Sequence, residues 1–425
     1  MTPEIKQRIE QIRRGEVPEG YKRTKAGIVP VEWEEKRIGD VLTQRKTLMC
    51  ISEDAPLLSF TIEEGVIDPA DKKSNKRDFL IKDMATKKFA LTEVGDIIYN
   101  PANLKFGAIH RNNLRRGVVS PIYGIFYGEQ DSIFMGYLLH NQRFIDYAKV
   151  YTEGTVEKLK TLKADTFLKL KITIPPLDEQ KKIAQILLTQ DKNIEFQKKK
   201  IDELQVVRKI FLRKMFCKKD KVLPEWRLAK FTNTWEKYRL SDKFIDFIVP
   251  MRDKPKEFGG SIPWTRLEDI EGKYLNDSLS KQYVTEDTIK NMNLKIIPKD
   301  SLVVSSSATF GIVAVITRDL ITNQTFIGLV PKDKKELDYW YSFFQSDEAK
   351  KYMKLESAGS TIFYITKESF ENMPIKIPQK EEMIEIGRFF NSLDRSIDLE
   401  RKKLEEMKKY KESLMQLLLT GIVRV

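Results

Sequence analysis

Two long stretches of the chain place apolar residues at spacings of three, four and seven, a pattern typical of helices that pack along a coiled-coil seam. Each apolar position of the first stretch recurs 203 positions later in the second, and segments rich in Lys and Glu fill the other faces. The predicted seam residues are Ile183, Leu187, Ile194, Ile201, Leu204 and Phe211 in the first helix, and Ile386, Phe390, Ile397, Leu404, Met407 and Leu414 in the second.

Polar residues interrupt each seam at equivalent positions: Gln197 and Arg208 in the first helix, Glu400 and Lys411 in the second. We interpret them as solvated positions on the surface of a two-helix pair. The alternative is that they set the register of the helices, as a polar residue at a seam position can do.

Outside these helices the pattern changes to short apolar runs broken by turn residues, which predicts strands, for example over 97–99 and 122–126. A helix is predicted over 134–147. The same pattern of short apolar runs and turn residues recurs in the second half at offsets between 202 and 205, so that Trp33 matches Trp235 and Phe106 matches Phe310. A nearly fixed offset across separate blocks indicates an internal duplication.

The sequence therefore predicts an α+β fold with a pseudo-two-fold internal repeat, in which two long antiparallel coiled-coil helices separate two similar mixed α/β domains. From Ile183 to Met215 the first seam spans roughly 48 Å at 1.5 Å per residue, whereas one turn of duplex DNA measures about 34–36 Å. Such helices could hold two DNA-reading domains at a set separation. The predicted boundaries are 1–25 for an N-terminal helix and linker, 26–165 and 221–367 for the two domains, and 166–220 and 368–425 for the two helical regions.

The composition is that of a folded protein: 425 residues, of which 41% are hydrophobic and 32% charged. The formal net charge of +13 favours a polyanionic partner such as nucleic acid. Cys50 and Cys217 are too few for a disulfide framework, and the apolar runs are too short for a membrane span. We expect a cytoplasmic protein that does not contact a membrane.

Motifs of common catalytic sites are missing. His110 and His140 are the only histidines, so a histidine-based metal cluster is not expected. The sequence contains no P-loop, no dinucleotide-binding glycine motif and no nucleophile elbow. The segment Asn-Pro-Ala-Asn at 100–103 lacks the second proline and the aromatic residue of an amino-methyltransferase loop, and we interpret it as a turn. These absences favour a binding protein without a catalytic or metal site.

The segment that joins the last strand of the first copy to its long helix resembles a signature of the specificity (S) subunit of type I restriction–modification systems. Its residues Phe167, Ile172, Ile174, Pro175 and Glu179 recur in the second copy at an offset of 203. In that copy the signature departs from the pattern, because Gln379 and Met383 replace Pro176 and Gln180. The two-copy layout of the whole chain is similar to that family's layout.

The resemblance implies a non-catalytic subunit that recognises double-stranded DNA. Each target-recognition domain would read one half of a bipartite, asymmetric site, and the helices would set the spacer. Two adenine-N6 methyltransferase subunits, which hold S-adenosylmethionine, would dock on the helices. Two restriction/translocase subunits, which use ATP and Mg, would join them. The chain itself would bind none of these cofactors.

Phosphate contacts require Lys or Arg, and base edges are read by Arg, Lys, Asn, Gln, Ser or Thr on protruding loops. A glycine followed by a hydroxyl residue, as at 154–155 and 359–360, lets backbone N–H groups approach a phosphate. The predicted DNA-binding residues are Lys72, Lys73, Asn75, Lys76, Arg77, Lys105, Arg111, Arg115, Arg116 and Thr155 in the first domain, and Arg252, Lys254, Lys256, Arg266, Lys281, Ser305, Ser306, Ser307, Thr309, Ser360 and Thr361 in the second.

Two other interpretations of the sequence remain open at this stage. A stand-alone DNA methyltransferase or nuclease with duplicated recognition domains would need a cofactor or metal site that the sequence does not reveal. A coiled-coil scaffold without a nucleic-acid role is disfavoured by the net charge of +13.

Overall fold

The structure, a computed structural model, describes residues 2–24, 27–72, 86–153, 161–306, 310–357 and 364–425. The chain forms two compact units. Unit 1 comprises Met1–Phe196 and Leu404–Val425, and unit 2 comprises Gln197–Lys403. Each unit therefore contains one part of each long helix, together with its own sheets and its own hydrophobic core.

The elements of the first copy follow the predicted order of a short helix, many short strands and one long helix. The helices are α1 Pro3–Arg13, α2 Ile38–Val41, α3 Ser132–His140, α4 Gln142–Lys149, α5 Ala164–Lys169 and α6 Leu177–Lys214, and the strands are β1 Tyr21–Thr24, β2 Gly27–Pro30, β3 Glu34–Arg37, β4 Thr43–Gln44, β5 Leu48–Met49, β6 Ser59–Thr61, β7 Gly65–Ile67, β8 Phe89–Thr92, β9 Ile97–Tyr99, β10 Ile109–Arg111, β11 Gly117–Val119, β12 Gly124–Tyr127 and β13 Lys171–Ile174.

The second copy likewise runs through many short strands and ends in the second long helix, but among its described residues no short helix precedes the first strand. Its helices are α7 Glu286–Asn291, α8 Leu337–Phe343, α9 Asp347–Leu355, α10 Lys367–Glu371 and α11 Lys380–Leu418, and its strands are β14 Glu236–Arg239, β15 Phe244–Ile248, β16 Ile262–Thr265, β17 Tyr274–Leu275, β18 Tyr283–Val284, β19 Leu302–Ser305, β20 Val313–Ile316, β21 Ile321–Thr322, β22 Phe326–Pro331 and β23 Pro374–Ile377.

Each unit has one larger sheet with a fully buried central strand. In unit 1 the strand order is β10-β9-β12-β4, and in unit 2 it is β15-β22-β19-β20-β17. Strands β9 and β19 are buried along their whole length, which explains why each reads as a continuous apolar run rather than an alternating one. Three-stranded sheets, β11-β8-β5 in unit 1 and β18-β16-β21 in unit 2, accompany them.

The duplication is clearest at the base of each long helix. In unit 1, β3 pairs with β13 in antiparallel register, with Lys36 opposite Ile172. In unit 2, β14 pairs with β23 in the same way, with Tyr238 opposite Ile375. The equivalent residues lie 202 and 203 positions apart. The two copies therefore share both a sequence pattern and a strand pairing, which confirms the predicted internal repeat.

Each long helix starts within a few residues of one of these strands. Helix α6 begins directly after Pro175 and Pro176, and its first turn carries Asp178 and Glu179. Proline disfavours a helical conformation in the residue before it, and acidic residues stabilise the positive end of a helix. Helix α11 likewise follows Pro378 and has two glutamates in its first turn.

The two long helices pair in antiparallel orientation. Within unit 2, Gln197 of α6 contacts Glu400 of α11, and Arg208 of α6 contacts Asp394 of α11. A residue later in α6 therefore contacts a residue earlier in α11, as antiparallel pairing requires. None of the predicted seam residues is exposed, and those buried most deeply are Ile183, Leu187, Ile194, Ile201, Ile386, Phe390 and Ile397.

The polar interruptions of the seam are not the solvated positions that we expected. Gln197 is buried and hydrogen-bonded to Glu400, and the half-buried Arg208 forms an ion pair with Asp394. In unit 1 the ammonium group of Lys411 lies 2.5 Å from the carboxylate of Asp191. The interpretation of these positions as solvated was wrong, because each faces a polar partner on the other helix.

Candidate nucleic-acid interface

Two of the predicted DNA-binding residues of unit 2 lie on one indole ring. The Lys254 ammonium group is 5.5 Å from the centre of the Trp264 ring and 5.6 Å from that of Phe258. The Arg266 guanidinium group lies 5.6 Å from the Trp264 ring centre. We call Lys254, Phe258, Trp264 and Arg266 the Trp264 cluster. Trp264 itself is buried, and a cation over an aromatic face gains about 0.5–1 kcal/mol at an exposed site and about 2 kcal/mol where it is desolvated.

Local backbone contacts bring the loop that carries Lys254 next to the segment that carries Trp264 and Arg266. Strand β16 places Trp264 at the centre of a three-stranded sheet. The loop before it turns at Gly260, whose φ is +90° and where a Cβ would lie 2.6 Å from the carbonyl oxygen of Val284. The backbone N–H of Gly259 donates to the carbonyl of Tyr283 at 2.8 Å. Only glycine fits this turn, which returns Lys254 toward the indole.

The guanidinium group of Arg266 has unused donor capacity. One nitrogen donates to the hydroxyl of Ser280 at 3.3 Å. The Nε atom is buried and has no hydrogen-bond partner among the described residues, as is also true of the Gln282 side-chain oxygen. An unpaired buried donor costs about 1–3 kcal/mol. An anion or a base edge that reached this guanidinium group would relieve part of that cost.

The other predicted residues of unit 2 divide into exposed cations and buried hydroxyls. Arg252, Lys256 and Lys281 are exposed, and Lys281 adopts a positive φ of 57° directly after Ser280. By contrast, Ser305 and Ser306 are buried. The Ser306 hydroxyl donates to the Thr325 carbonyl, and the Ser305 hydroxyl accepts from the backbone of Ile312. A DNA contact would require the two hydroxyls to leave those partners.

In unit 1 the predicted arginines after strand β9 already have polar partners. Arg115 forms an ion pair with Asp68, and Arg116 pairs with Glu93 at 3.2 Å. Both guanidinium groups are about half exposed, and surface pairs of this kind contribute only about 0–1 kcal/mol, so a phosphate could replace the carboxylate. Arg111 donates to Ser132 at 3.0 Å, and partial burial lowers its pKa.

The remaining described residues of the unit 1 prediction are Lys105, which lies in a short 3-10 helix, and Lys72. Lys105 lies 5.2 Å from the ring centre of the exposed Phe106, and Lys72 is half exposed. Nine predicted residues lie outside the described part of the chain: Lys73, Asn75, Lys76, Arg77, Thr155, Ser307, Thr309, Ser360 and Thr361.

The two histidines pack against each other in unit 1. Their ring centres are 4.3 Å apart, and each ring has a nitrogen within 2.8 Å of a backbone carbonyl oxygen. Burial, together with the neighbouring His140, lowers the pKa of His110 to about 4. Across the described residues, no group of three or more His, Cys, Asp or Glu side chains could hold a metal ion. No helix in the same ranges combines the length and hydropathy that a membrane-spanning segment requires.

Sequence reasoning missed the aromatic residues beneath the cations of unit 2. It also missed Arg318, which donates to the Ser261 carbonyl at 3.0 Å beside the Trp264 cluster. A signal was present, since Lys254, Lys256 and Phe258 alternate, and Arg266 follows Trp264 by two positions. Surfaces that bind single-stranded nucleic acid combine cations with aromatic side chains in this way.

Comparison with known proteins places this chain in a family. The model of the type I restriction modification DNA specificity domain matches residues 30–206 and again 233–409. A protein of Methanocaldococcus jannaschii that bears the name type I restriction enzyme MjaX specificity subunit is 25% identical over 427 residues, and the alignment covers 96% of this chain and 97% of that protein. The MjaVIII specificity subunit of the same organism is 24% identical over 433 residues, with 96% of each chain covered.

A solved structure from work on complex assembly and conformational transition of the type I R-M system aligns with a TM-score of 0.61. It is 15% identical and covers 93% of this chain and 99% of that chain, a likeness that shows the fold alone. The family model matches most of the chain in two copies whose starts lie 203 positions apart. The chain therefore belongs to the family of type I restriction modification DNA specificity domains.

Proposed function

We propose that this chain is the non-catalytic specificity subunit of a type I restriction–modification complex, in which each recognition domain reads one half of a bipartite DNA site. The observation that carries the proposal is the match of the specificity domain to both copies of the repeat. The Trp264 cluster, with two cations on an aromatic ring and an unpaired guanidinium donor, suits a polyanionic ligand. The net charge of +13 supports the same partner.

We propose that the paired helices set the spacer between the two half-sites. Helix α6 has 38 residues and α11 has 39, so each is about 57 Å long at 1.5 Å per residue. Because one turn of duplex DNA measures about 34–36 Å, helices of this length can relate two DNA segments that lie roughly one turn apart. The buried seam supplies the stiffness that a spacer requires.

The partners and cofactors belong to the same proposal. Two adenine-N6 methyltransferase subunits would hold S-adenosylmethionine and dock on the long helices. Two restriction/translocase subunits would use ATP and Mg. This chain would supply DNA recognition alone, in the cytoplasm, where the DNA and these subunits meet. The names of its relatives, which are specificity subunits of type I restriction enzymes, support this division of labour.

Docking of the methyltransferase is expected to depend on Phe196 and Leu399. These repeat-equivalent residues are 71% and 66% exposed on the long helices, and an exposed apolar side chain favours burial against a partner. Replacing one of them with serine should reduce the methyltransferase subunits bound per chain from two to one, and replacing both should abolish binding. Native mass spectrometry measures the ratio. Serine at the exposed Ile122 is the control, and an unchanged ratio in the double variant would remove these residues from the interface.

The basic loop that contains Lys72 is expected to contribute to phosphate binding. Reversing the charge of Lys72, Lys73, Lys76 and Arg77 should weaken duplex binding and reduce the slope of log affinity against log salt by about 0.9 for each phosphate that the variant no longer neutralises. Fluorescence anisotropy over a salt series measures both. The control reverses four exposed lysines of the long helices: Lys181, Lys182, Lys402 and Lys409. If the loop variant and the control behaved alike, the loop would not lie in the DNA interface.

Genome-wide mapping of N6-methyladenine with and without this gene tests the proposal directly. We expect one bipartite motif to be methylated only when the gene is present. The purified chain is expected not to bind S-adenosylmethionine without its partners. Binding by the chain alone, or a methylation pattern that ignores the gene, would contradict the proposed function.

A further inference from the structure

A hydrogen-bonded polar cluster lies in the helix pair of unit 2. The side-chain amide of Gln197, which is 3% exposed, donates to Glu400 at both the carboxylate (2.6 Å) and the backbone carbonyl (3.0 Å). The ammonium group of Lys200 donates to the other carboxylate oxygen at 2.5 Å. The Glu400 side chain is 20% exposed. One carboxylate therefore satisfies two donors from the opposite helix at a position where apolar residues would otherwise meet.

Gln197 and Glu400 are repeat equivalents, 203 positions apart, as are Lys200 and Lys403. The contact thus joins one position of the repeat to the same position in the other copy. If two identical helices paired instead, this position would hold either two glutamates or two glutamines. Two carboxylates would repel each other at a largely buried site, and two amides would leave the lysines without a carboxylate.

The other contacts of the seam do not distinguish these pairings. Asp191 is equivalent to Asp394, and Arg208 is equivalent to Lys411. An aspartate would therefore face an arginine or a lysine both when α6 pairs with α11 and when two identical helices pair. The apolar seam residues do not distinguish the two pairings either, because each has an apolar residue at the equivalent position of the other helix. The ion pairs do fix register, since a slip of one heptad would take Asp394 away from Arg208.

We propose that Gln197, Glu400 and Lys200 form a pairing lock that makes α6 pair with α11 rather than with an identical helix of a second chain. The flanking ion pairs hold the chosen pair in one register. Lys403 occupies the equivalent place to Lys200, so the lock should also work with the amide and the carboxylate exchanged. The lock acts by positioning the two helices.

Exchanging the two residues tests the lock in the full-length chain. Gln197→Glu and Glu400→Gln are each expected to lower the Tm by roughly 2–8 °C, since each leaves a polar group at this site without a matching partner. The double exchange is expected to return the Tm to within about 1 °C of the parent value, a recovery on the scale of pairwise coupling between contacting residues. Gln205→Glu makes the same change at an exposed position of α6 and should leave the Tm unaltered.

The oligomeric state reports on partner choice, which a merely stabilising contact would not change. Light scattering over a concentration series should show a monomeric parent chain. Each single variant makes the two helices alike at this position, so chain dimers should appear as concentration rises. The double exchange should be monomeric again. Single variants that keep both the parent Tm and the monomeric state would overturn the lock, as would a double exchange no better than the singles.

A third readout rests on the proposed function. If the lock positions the recognition domains, the single variants should methylate sites with additional spacer lengths, and the double exchange should restore a single length. A parent chain that supports no bipartite methylation would remove the proposed function, while the Tm and oligomer results would still decide the lock. Strict parental spacing in all variants, with altered Tm, would confine the lock to chain pairing.

Discussion

Replacing both Lys254 and Arg266 with glutamate is expected to lower the affinity of the chain for its duplex site by roughly 10- to 100-fold, since one good contact is worth about 1–3 kcal/mol. Both cations lie over the ring of Trp264, so the change places two negative charges where phosphate or a base edge would lie. Fluorescence anisotropy at a fixed salt concentration, with the methylation subunits added to the chain, measures the affinity for the duplex.

The control for this variant must have the same net charge. Lys237 and Lys335 are exposed lysines of unit 2 outside the Trp264 cluster, and replacing both with glutamate changes the charge equally. A specific interface predicts a small effect for this pair and a large one for the Trp264 cluster. Equal reductions in affinity would mean that only the overall charge matters, and the Trp264 cluster would no longer be a candidate DNA-binding surface.

Replacing Arg227 with methionine is expected to destabilise unit 2 by about 3–5 kcal/mol, the usual cost of leaving a buried charge without its partner. Two guanidinium nitrogens of Arg227 donate to the carboxylate of Glu382 at 2.7 and 2.6 Å, and Glu382 is 1% exposed. Methionine keeps most of the side-chain volume but removes the donors. Equilibrium unfolding in urea, followed by tryptophan fluorescence, measures the change in the free energy of unfolding.

The neighbouring pair of Lys230 and Glu385 is the matched control. Its groups are 3.2 Å apart but substantially exposed, so replacing Lys230 with methionine should cost only about 0–1 kcal/mol. Similar destabilisation in the two variants would show that burial does not set the value of the Arg227–Glu382 pair.

The same arrangement occurs in unit 1 with the roles of the helices reversed. Arg424, which follows α11, donates to the carboxylate of Glu179 in the first turn of α6 at 2.6 and 2.9 Å. Arg227 follows α6 and reaches the first turn of α11. An arginine in the segment after each long helix thus forms an ion pair with a glutamate in the first turn of the other long helix. The segment that follows α11 therefore stabilises the start of α6, which is far from it in sequence.

The features that depend on local periodicity could be predicted from the sequence. Strand β9 occupies the predicted residues 97–99, and the seam positions are buried or half buried as the spacing of apolar residues indicated. The repeat offset alone predicted that two similar halves would form. Such signals are carried by neighbouring residues or by a direct comparison of the two copies, and neither requires knowledge of long-range contacts.

The helix predicted over 134–147 shows where local patterns mislead. The structure has two helices, α3 and α4, separated at Asn141. The side chain of Asn141 accepts a hydrogen bond from the backbone of Arg143 at 2.9 Å, which caps a new helix instead of continuing the old one. The apolar spacing continues across the break, and the pattern therefore conceals the break.

The candidate DNA interface could be predicted only in part. Single cations on loops were identifiable, but the contact of Lys254 and Arg266 with one ring depends on the turn at Gly260 and on sheet pairing around β16. The polar seam residues were misinterpreted for a similar reason, because periodicity shows which positions face inward but not what they face. The equivalence of Gln197 and Glu400 was the available signal that the two could meet.

Replacing the second recognition domain, 221–367, with that of a related specificity subunit tests the central claim most directly. Mapping N6-methyladenine across the genome would then compare the parent and the hybrid. We expect one half of the bipartite motif to change while the other half and the spacer length stay the same. A hybrid that altered both halves, or neither, would contradict the division of DNA recognition between two domains on one chain.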